Sequence, residues 1–287
     1  IMKHTGFGFN TVGTVTARPY EGNKGIRLDR LPASKSLLVN KGFKSEGVDK
    51  VIKRLDSKGL DNTTLGVSVG SSNLPQVDTI PKAINDYVYT FNKFKTRRYI
   101  KYFELNISCP NTSMTESFTK KHHFAELLKA VESLKIKQPI FVKMANEMEL
   151  NEADRLIHEG LKHGVSGFIF SNLLKNRNSK YLNSTEVKKF SDLKGNFSGK
   201  PTFENSNKLI KHAYREYGKY MLIVGCGGVF SAKDAYKKIR LGASLVQMIT
   251  GMIYEGPQVA GEINEGLVKL LKRDGMTHIS EAIGLDA

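Results

Sequence analysis

Three groups of residues have the types and spacing to do chemistry. The first is Asn106-Ile107-Ser108-Cys109-Pro110-Asn111, where an alternating strand pattern stops at the proline. Cys109 therefore begins a loop, and a partly exposed thiol at such a point can be tuned towards thiolate and take a proton. A single cysteine taken alone is more often an inert buried residue, and Cys226, inside a glycine-rich strand end, fits that plainer reading. The second group centres on Lys143 in Pro139-Ile140-Phe141-Val142-Lys143-Met144, an apolar run in which a lysine is poorly solvated and requires an anionic partner. That partner is either an anionic ligand or a structural carboxylate such as Glu104 or Glu147. The third is Val224-Gly225-Cys226-Gly227-Gly228-Val229. Downstream of it, Ser231 and Asp234 read as a helix N-cap with its capping acid, so that backbone N–H groups would face an anion. Thr250-Gly251, after the next strand, would close the same phosphate site from the other side.

Elements that could hold these groups together are visible as short β-branched runs, each ending in Gly, Ser, Thr or Asn. They are residues 11–16, 64–70, 103–108, 140–144, 167–171, 222–225 and 245–249. Between them lie amphipathic segments such as 123–134, 152–162, 205–217 and 232–241, with apolar residues recurring every three or four positions. Strands alternating with helices imply right-handed parallel βαβ units. A doubly wound sheet would show a GxGxxG turn after its first strand, and none is present. The pattern predicts an α/β fold of the TIM barrel type. Such a barrel closes with eight strands and places its active site at their C-terminal ends. Seven runs are counted, and Ile1 to Gly6 reads as the middle of a helix, so the first strand is expected upstream of residue 1. The residues closing the runs are unusually polar: Thr14, Ser68, Asn106 with Ser108 and Cys109, Lys143, Ser171 with Asn172, Gly227 with Gly228, and Thr250 with Gly251. The polar stretch from Leu173 to Pro201 reads as a βα loop long enough to act as a lid.

Composition narrows the function classes. The 287 residues fit one β/α barrel domain spanning 1–287, truncated at its N-terminus, and no apolar run approaches the roughly 18 residues of a membrane span. Two cysteines without CxxC spacing argue against a disulfide framework and structural zinc, and the seven histidines are scattered; no metal is expected. The net charge of +16 would suit a polyanion, but the lysines are spread through nearly every predicted helix and loop, so no nucleic acid is expected. A basic surface still favours ligands bearing phosphate or carboxylate. The expected location is intracellular, either cytoplasmic or peripherally on a membrane through a segment before residue 1. A homodimer is a further expectation.

With these motifs in place the chain resembles the dihydroorotate dehydrogenase family, from about Gly6 to Ala287. The resemblance rests on ordered motifs: residues 13–16, Asn40-Lys41-Gly42-Phe43, Asn106 to Thr112, Phe197-Ser198-Gly199-Lys200-Pro201, Gly225 to Gly228, residues 242–247 and Ala282-Ile283-Gly284. It implies FMN held by Thr14, Ser68, Asn106, Lys143, Ser171, Gly199, Gly227, Gly228, Thr250 and Gly251. It implies dihydroorotate or orotate among Asn40, Gly42, Phe43, Asn106, Asn111 and Asn172, whose amides offer both donor and acceptor to a pyrimidine edge. Catalysis would fall to Cys109, as general base during hydride transfer to the flavin, and to Lys143, which would stabilise the reduced flavin. The implied role is oxidation of dihydroorotate to orotate in de novo pyrimidine biosynthesis.

Cysteine at the base position resembles the soluble class, whereas Gly13 to Pro19 and Ala282 to Gly284 resemble the quinone class. The expected acceptor is therefore quinone or another oxidant. Departures include Ser68 and Ser71 where Asn and Lys are usual, Leu173-Leu174 in place of a Thr pair, and Ile249 at a common Tyr site. They leave a non-catalytic or weakly active flavin-binding barrel as one alternative. A tRNA dihydrouridine synthase is a second, disfavoured because only 36 residues follow Gly251.

Overall fold

Val, Ile and Phe dominate the segments that pair into a curled parallel sheet, because branched and aromatic side chains pack well on a pleated surface covered by helices. The computed structural model describes residues 5–60, 62–108 and 118–287. In chain order the elements are β1 (Asn10–Val15), β2 (Pro19–Tyr20), β3 (Leu28–Leu31), β4 (Ser36–Val39), β5 (Ser45–Glu46), α1 (Val48–Asp56), β6 (Leu65–Val69), α2 (Ile80–Phe94) and β7 (Ile100–Asn106). They continue with α3 (Lys121–Glu132), β8 (Ile140–Lys143), α4 (Leu150–Lys162), β9 (Gly167–Phe170), α5 (Ser184–Lys188), β10 (Asn196–Gly199) and α6 (Phe203–Tyr217). The chain then forms β11 (Leu222–Cys226), α7 (Ala232–Arg240), β12 (Leu245–Gln247), α8 (Thr250–Glu255) and α9 (Val259–Arg273).

The main sheet has seven strands in the order β1-β6-β7-β8-β9-β11-β12, every pair parallel. All seven expected runs are present, with boundaries shifted by up to three residues. Among the described residues β1 and β12 form the two edges. Of the stretch from Ile1 to Gly6 expected to be helical, the described residues Thr5 and Gly6 form a turn, and Gly6 O accepts from Asn264 Nδ2 of α9 at 2.8 Å.

Two apolar layers build the body. Outside the sheet, Phe91, Phe94, Phe103, Phe124, Leu127, Leu156 and Phe168 belong to one continuous core between strands and helices. Fully burying a side chain of this kind contributes about 1.5–3 kcal/mol. Inside it, Tyr102, Phe141, Ile169 and Val224 cluster with Phe9 and Cys226. Gly66 makes room for that inner plug, since a Cβ there would lie 2.2 Å from the Tyr102 ring. Above the plug the interior turns polar. Glu104, 3% exposed, accepts from Thr11 Oγ1 and Gln247 Nε2, both at 2.6 Å, as a buried carboxylate requires.

The expected lid is a docked element. β10 pairs antiparallel with β4, and β4 with β3, making a three-stranded sheet over one side of the strand ends. Leu174, Leu182, Val187 and Phe197 from the long connection share a core with Leu31 and Leu38 of that hairpin. Arg177 binds the connection to itself by donating to the main-chain oxygens of Phe190 and Leu193.

Candidate functional site

The C-terminal ends of β1, β6 and β7 bring neutral polar side chains into one hydrogen-bonded chain that reaches the main chain of β8. Thr14 and Ser68 hydroxyls are 3.0 Å apart, and Asn106 Nδ2 donates to Thr14 Oγ1 at 3.2 Å. Asn172, just beyond β9, donates to Ser108 Oγ at 3.0 Å and approaches Asn106 Oδ1 at 3.4 Å. Ser108 Oγ in turn donates to Lys143 O at 2.7 Å. These residues stand where parallel strands deliver alternate side chains inwards, so the register of the sheet sets their mutual distances.

Thr14, Asn106, Lys143 and Asn172 open onto a cavity of about 570 Å³, bounded on its other side by Leu28, Leu37, Val39, Gly42 and Phe43. Gly42 and Phe43 both adopt left-handed backbone, with φ of 63° and 62°. For a residue as bulky as phenylalanine this conformation costs about 1–3 kcal/mol and is concentrated at functional sites. Here it places the Phe43 ring 3.0 Å from where a Cβ on Gly70 would be.

The other half of the site is built from missing side chains. A smaller hollow of about 80 Å³ is lined by Ser171, Gly199, Gly227, Gly228, Thr250 and Gly251, among others. A Cβ at Gly251 would fall 2.1 Å from Val229 O, at Gly199 2.4 Å from Lys35 O, and at Gly227 2.5 Å from Thr202 Oγ1. At Gly199 and Gly251 backbone therefore approaches backbone, and at Gly227 a side-chain hydroxyl approaches it, at distances no other residue permits. The surrounding hydroxyls are fixed: Thr250 donates to Ser198 at 2.8 Å, Thr202 to Gly199 O at 2.8 Å, and Asn146 to Ser171 Oγ at 2.6 Å. Lys143, Asn172, Leu173, Ser198, Ile249 and Thr250 line both hollows, so the two halves are continuous.

Several sequence expectations change in detail. Ser231 does cap α7, accepting from Asp234 N at 3.2 Å, while Asp234 accepts from Phe230 N at 3.1 Å. The N–H groups of Phe230 and Asp234 are thus satisfied within residues 230–234, and the smaller hollow is lined instead by Gly227, Gly228 and Gly251. Glu104 and Glu147, the carboxylates considered for Lys143, are engaged elsewhere: Glu104 within the barrel, Glu147 by the main-chain N–H groups of Lys175 and Asn176. Cys226 is half-buried: it packs against the inner plug and also lines the smaller hollow. Asn40 is buried, with its Oδ1 accepting from Asn23 Nδ2 at 2.8 Å, and Val39 and Lys41 to Glu46 form the wall beside it. Cys109 and Asn111 lie outside the described residues, as does the beginning of the chain at 1–4. Ser198 and Asn146 were not among the expected site residues. The signal for Ser198 was its place beside Gly199 at a strand end, and Asn146 follows Lys143 by three residues.

A wider hollow of about 890 Å³ lies beside Arg18, Asp49 and Asp86, apart from the glycine turns and from Lys143. Its carboxylates are already committed: Asp86 accepts from Ser72 N at 2.7 Å, and Asp49 pairs with Lys93 at 2.7 Å. The strand-end site, with its convergent polar groups, is the better candidate. Among the described residues no set of three His, Cys, Asp or Glu side chains could hold a metal ion, and no helix is long and apolar enough to cross a membrane.

Residues 1–271 match the family model described as dihydroorotate dehydrogenase. A protein of Sulfurovum sp. (strain NBC37-1) named dihydroorotate dehydrogenase (quinone) is 36% identical over 99% of this chain and 77% of its own length. One of Roseiflexus castenholzii with the same name is 35% identical over 98% of the chain and 75% of its length. The crystal structure of DHODH from Eimeria tenella in complex with ferulenol superposes with a TM-score of 0.85 at 28% identity, covering 99% of this chain and 80% of that one. Family model, relatives of the quinone-named group and a TIM-barrel neighbour agree over nearly every residue, and the chain belongs to the dihydroorotate dehydrogenase family.

Proposed function

We propose that this protein is an FMN-dependent dihydroorotate dehydrogenase that oxidises dihydroorotate to orotate in pyrimidine biosynthesis and passes the electrons to a quinone. The observation that carries the reading is the joining of two unlike half-sites through Lys143, Asn172 and Thr250: amides and hydroxyls on one side, close-packed glycine backbone on the other. The acceptor follows the names of the relatives.

The residues present fit the cofactor. Gly199, Gly227, Gly228 and Gly251 leave a cradle that side chains would fill, and backbone N–H groups in such turns suit a phosphate. Bound there, FMN would supply the two-electron acceptor. Thr14, Ser68, Asn106, Ser171 and Thr250 would hold it by hydrogen bonds, and Lys143 would place a cation where negative charge accumulates on reduction. Asn106, Asn172, Gly42 and Phe43 would orient the pyrimidine, together with Asn40 and Asn111. Cys109 would remove the substrate proton. Its neighbour Ser108 is held from two sides, by Asn172 and by Lys143 O, which fixes the chain immediately before it.

Anaerobic addition of dihydroorotate to the yellow protein tests the reading, with rapid bleaching of the flavin band as the expected result. A flavin that stays oxidised would sink the dehydrogenase and leave a non-catalytic flavin-binding barrel.

A further inference from the structure

Lys238 is the one lysine of α7 that the protein swallows whole: it is 0% exposed. Its stem lies along β11, where a Cβ on Gly225 would sit 3.0 Å from Lys238 Cδ. Nζ donates to Ser206 Oγ at 2.8 Å and to Asn207 Oδ1 at 3.0 Å, both on α6, and lies 4.7 Å from the centre of the Phe203 ring. Among the described residues no carboxylate pairs with it. Burying an ammonium with only neutral partners is costly, so a lysine so placed needs a reason.

Two connections lead from Lys238 to the glycine half of the site. Ser206 Oγ, which receives the lysine, donates to Phe170 O at 2.8 Å, and the next residue is Ser171 in the cavity wall. Phe203, whose ring faces Nζ, abuts the glycine turn: a Cβ on Gly228 would lie 2.5 Å from Phe203 Cβ. Lys200 also approaches that ring, at 4.5 Å, but is paired with Asp234 at 2.8 Å.

We propose that Lys238 is a positioning residue for the phosphate end of the site, holding in place α6, whose Ser206 is bonded to the end of β9, behind the Gly227–Gly228 turn, and that binding of a phosphate monoester in that turn is coupled to protonation of this lysine. The inference rests on the assignment of FMN above.

The charges facing Nζ come from every element packed around it. Burial pushes Lys238 down from lysine's ordinary value of 10.5 to about 7; Cys226 of β11, Asp234 of α7 and Glu204 of α6 oppose the shift, and Lys200 adds to it. A phosphate dianion nearby acts in the opposite direction and favours the charged lysine. Below about pH 7 the lysine is charged with or without ligand, and affinity is highest. As pH rises from there to the higher value of the bound form, binding must take up a proton and affinity falls; above both values it levels off. For a dianion acting through several ångströms of protein, a displacement of about one pH unit is expected, or about tenfold in affinity. The phosphate's own second ionisation, at about pH 6, lies below this window.

The test is FMN and riboflavin affinity, followed by flavin fluorescence on the stripped protein between pH 7 and 9. FMN binding should weaken about tenfold across the window while riboflavin, which lacks the phosphate, stays level; Lys238→Met should flatten the FMN profile. If that variant does not fold, Lys238→Arg takes its place, since a permanent cation must also give a flat profile. Identical pH dependence for FMN and riboflavin, or an unchanged FMN slope in a folded variant, would overturn the coupling while leaving the flavin assignment intact. Failure of the unaltered protein to bind either flavin at any pH would remove both.

Discussion

The two halves of the site solve opposite problems. Around Thr14, Ser68, Asn106, Ser108 and Asn172 the protein presents side chains that hold one another in place and offer donors and acceptors. Around Gly199, Gly227, Gly228 and Gly251 it withdraws side chains so that backbone can come close. The first half can lose a group and keep its shape, whereas the second can lose nothing and tolerates no addition. Substitutions at Cys109 and Asn172, which would face the substrate, should therefore appear as changes in turnover with the cofactor retained, and those in the glycine half as changes in cofactor retention.

The sharpest test of that division is Cys109→Ala. Anaerobic flavin reduction should slow by about 10²–10⁴-fold, the range for loss of a general base, with the protein still yellow. A colourless variant would blur the boundary between the halves. Gly251→Val comes next. Its side chain meets Val229 O, and overpacking of about 3 kcal/mol corresponds to FMN binding about 100-fold weaker, read as flavin content after gel filtration. Full flavin content in a folded Gly251→Val protein would mean that the turn is not a cofactor wall. Asn172→Ala removes the amide that donates to Ser108, and should lower kcat/KM by about 10–100-fold while flavin content is unchanged. The smallest effect is expected for Ser198→Ala, which takes away the acceptor of the buried Thr250 hydroxyl. A cost of about 1 kcal/mol would weaken FMN about fivefold without altering turnover of the loaded enzyme.

Much of this arrangement was legible in the residues. Seven strands could be read because each apolar run stops at a polar residue, and in a parallel barrel those stopping points lie at one end. Their convergence around Lys143 follows from topology alone. What could not be read depends on partners distant in sequence. β3, β4 and β10 are each four residues long, and β10 joins β4 across more than 150 positions, so no local period announces the second sheet. The polar run after Leu173 hid its four apolar anchors, Leu174, Leu182, Val187 and Phe197, among asparagines and lysines. Lys238 was concealed differently. Within Lys237-Lys238-Ile239-Arg240 its type suggests solvent, and only the packing of α7 against β11 and α6 shows that one of these charges faces inwards.

The small sheet above the strand ends also bears on how the protein fluctuates. Its β3–β4 hairpin precedes its third strand, β10, by some 160 residues, yet Leu31 and Leu38 share one apolar cluster with Leu174 and Phe197, and Ser34 is held by Glu186 through main-chain and hydroxyl hydrogen bonds. Neither segment can lift without exposing the apolar surface of the other. Their amide hydrogens should therefore exchange with solvent at a common rate, faster than those of the barrel strands beneath, because cooperative units of this kind open together below the free energy of global unfolding. The roof of the cavity would then breathe as one piece, although the chain assembles it from two remote stretches.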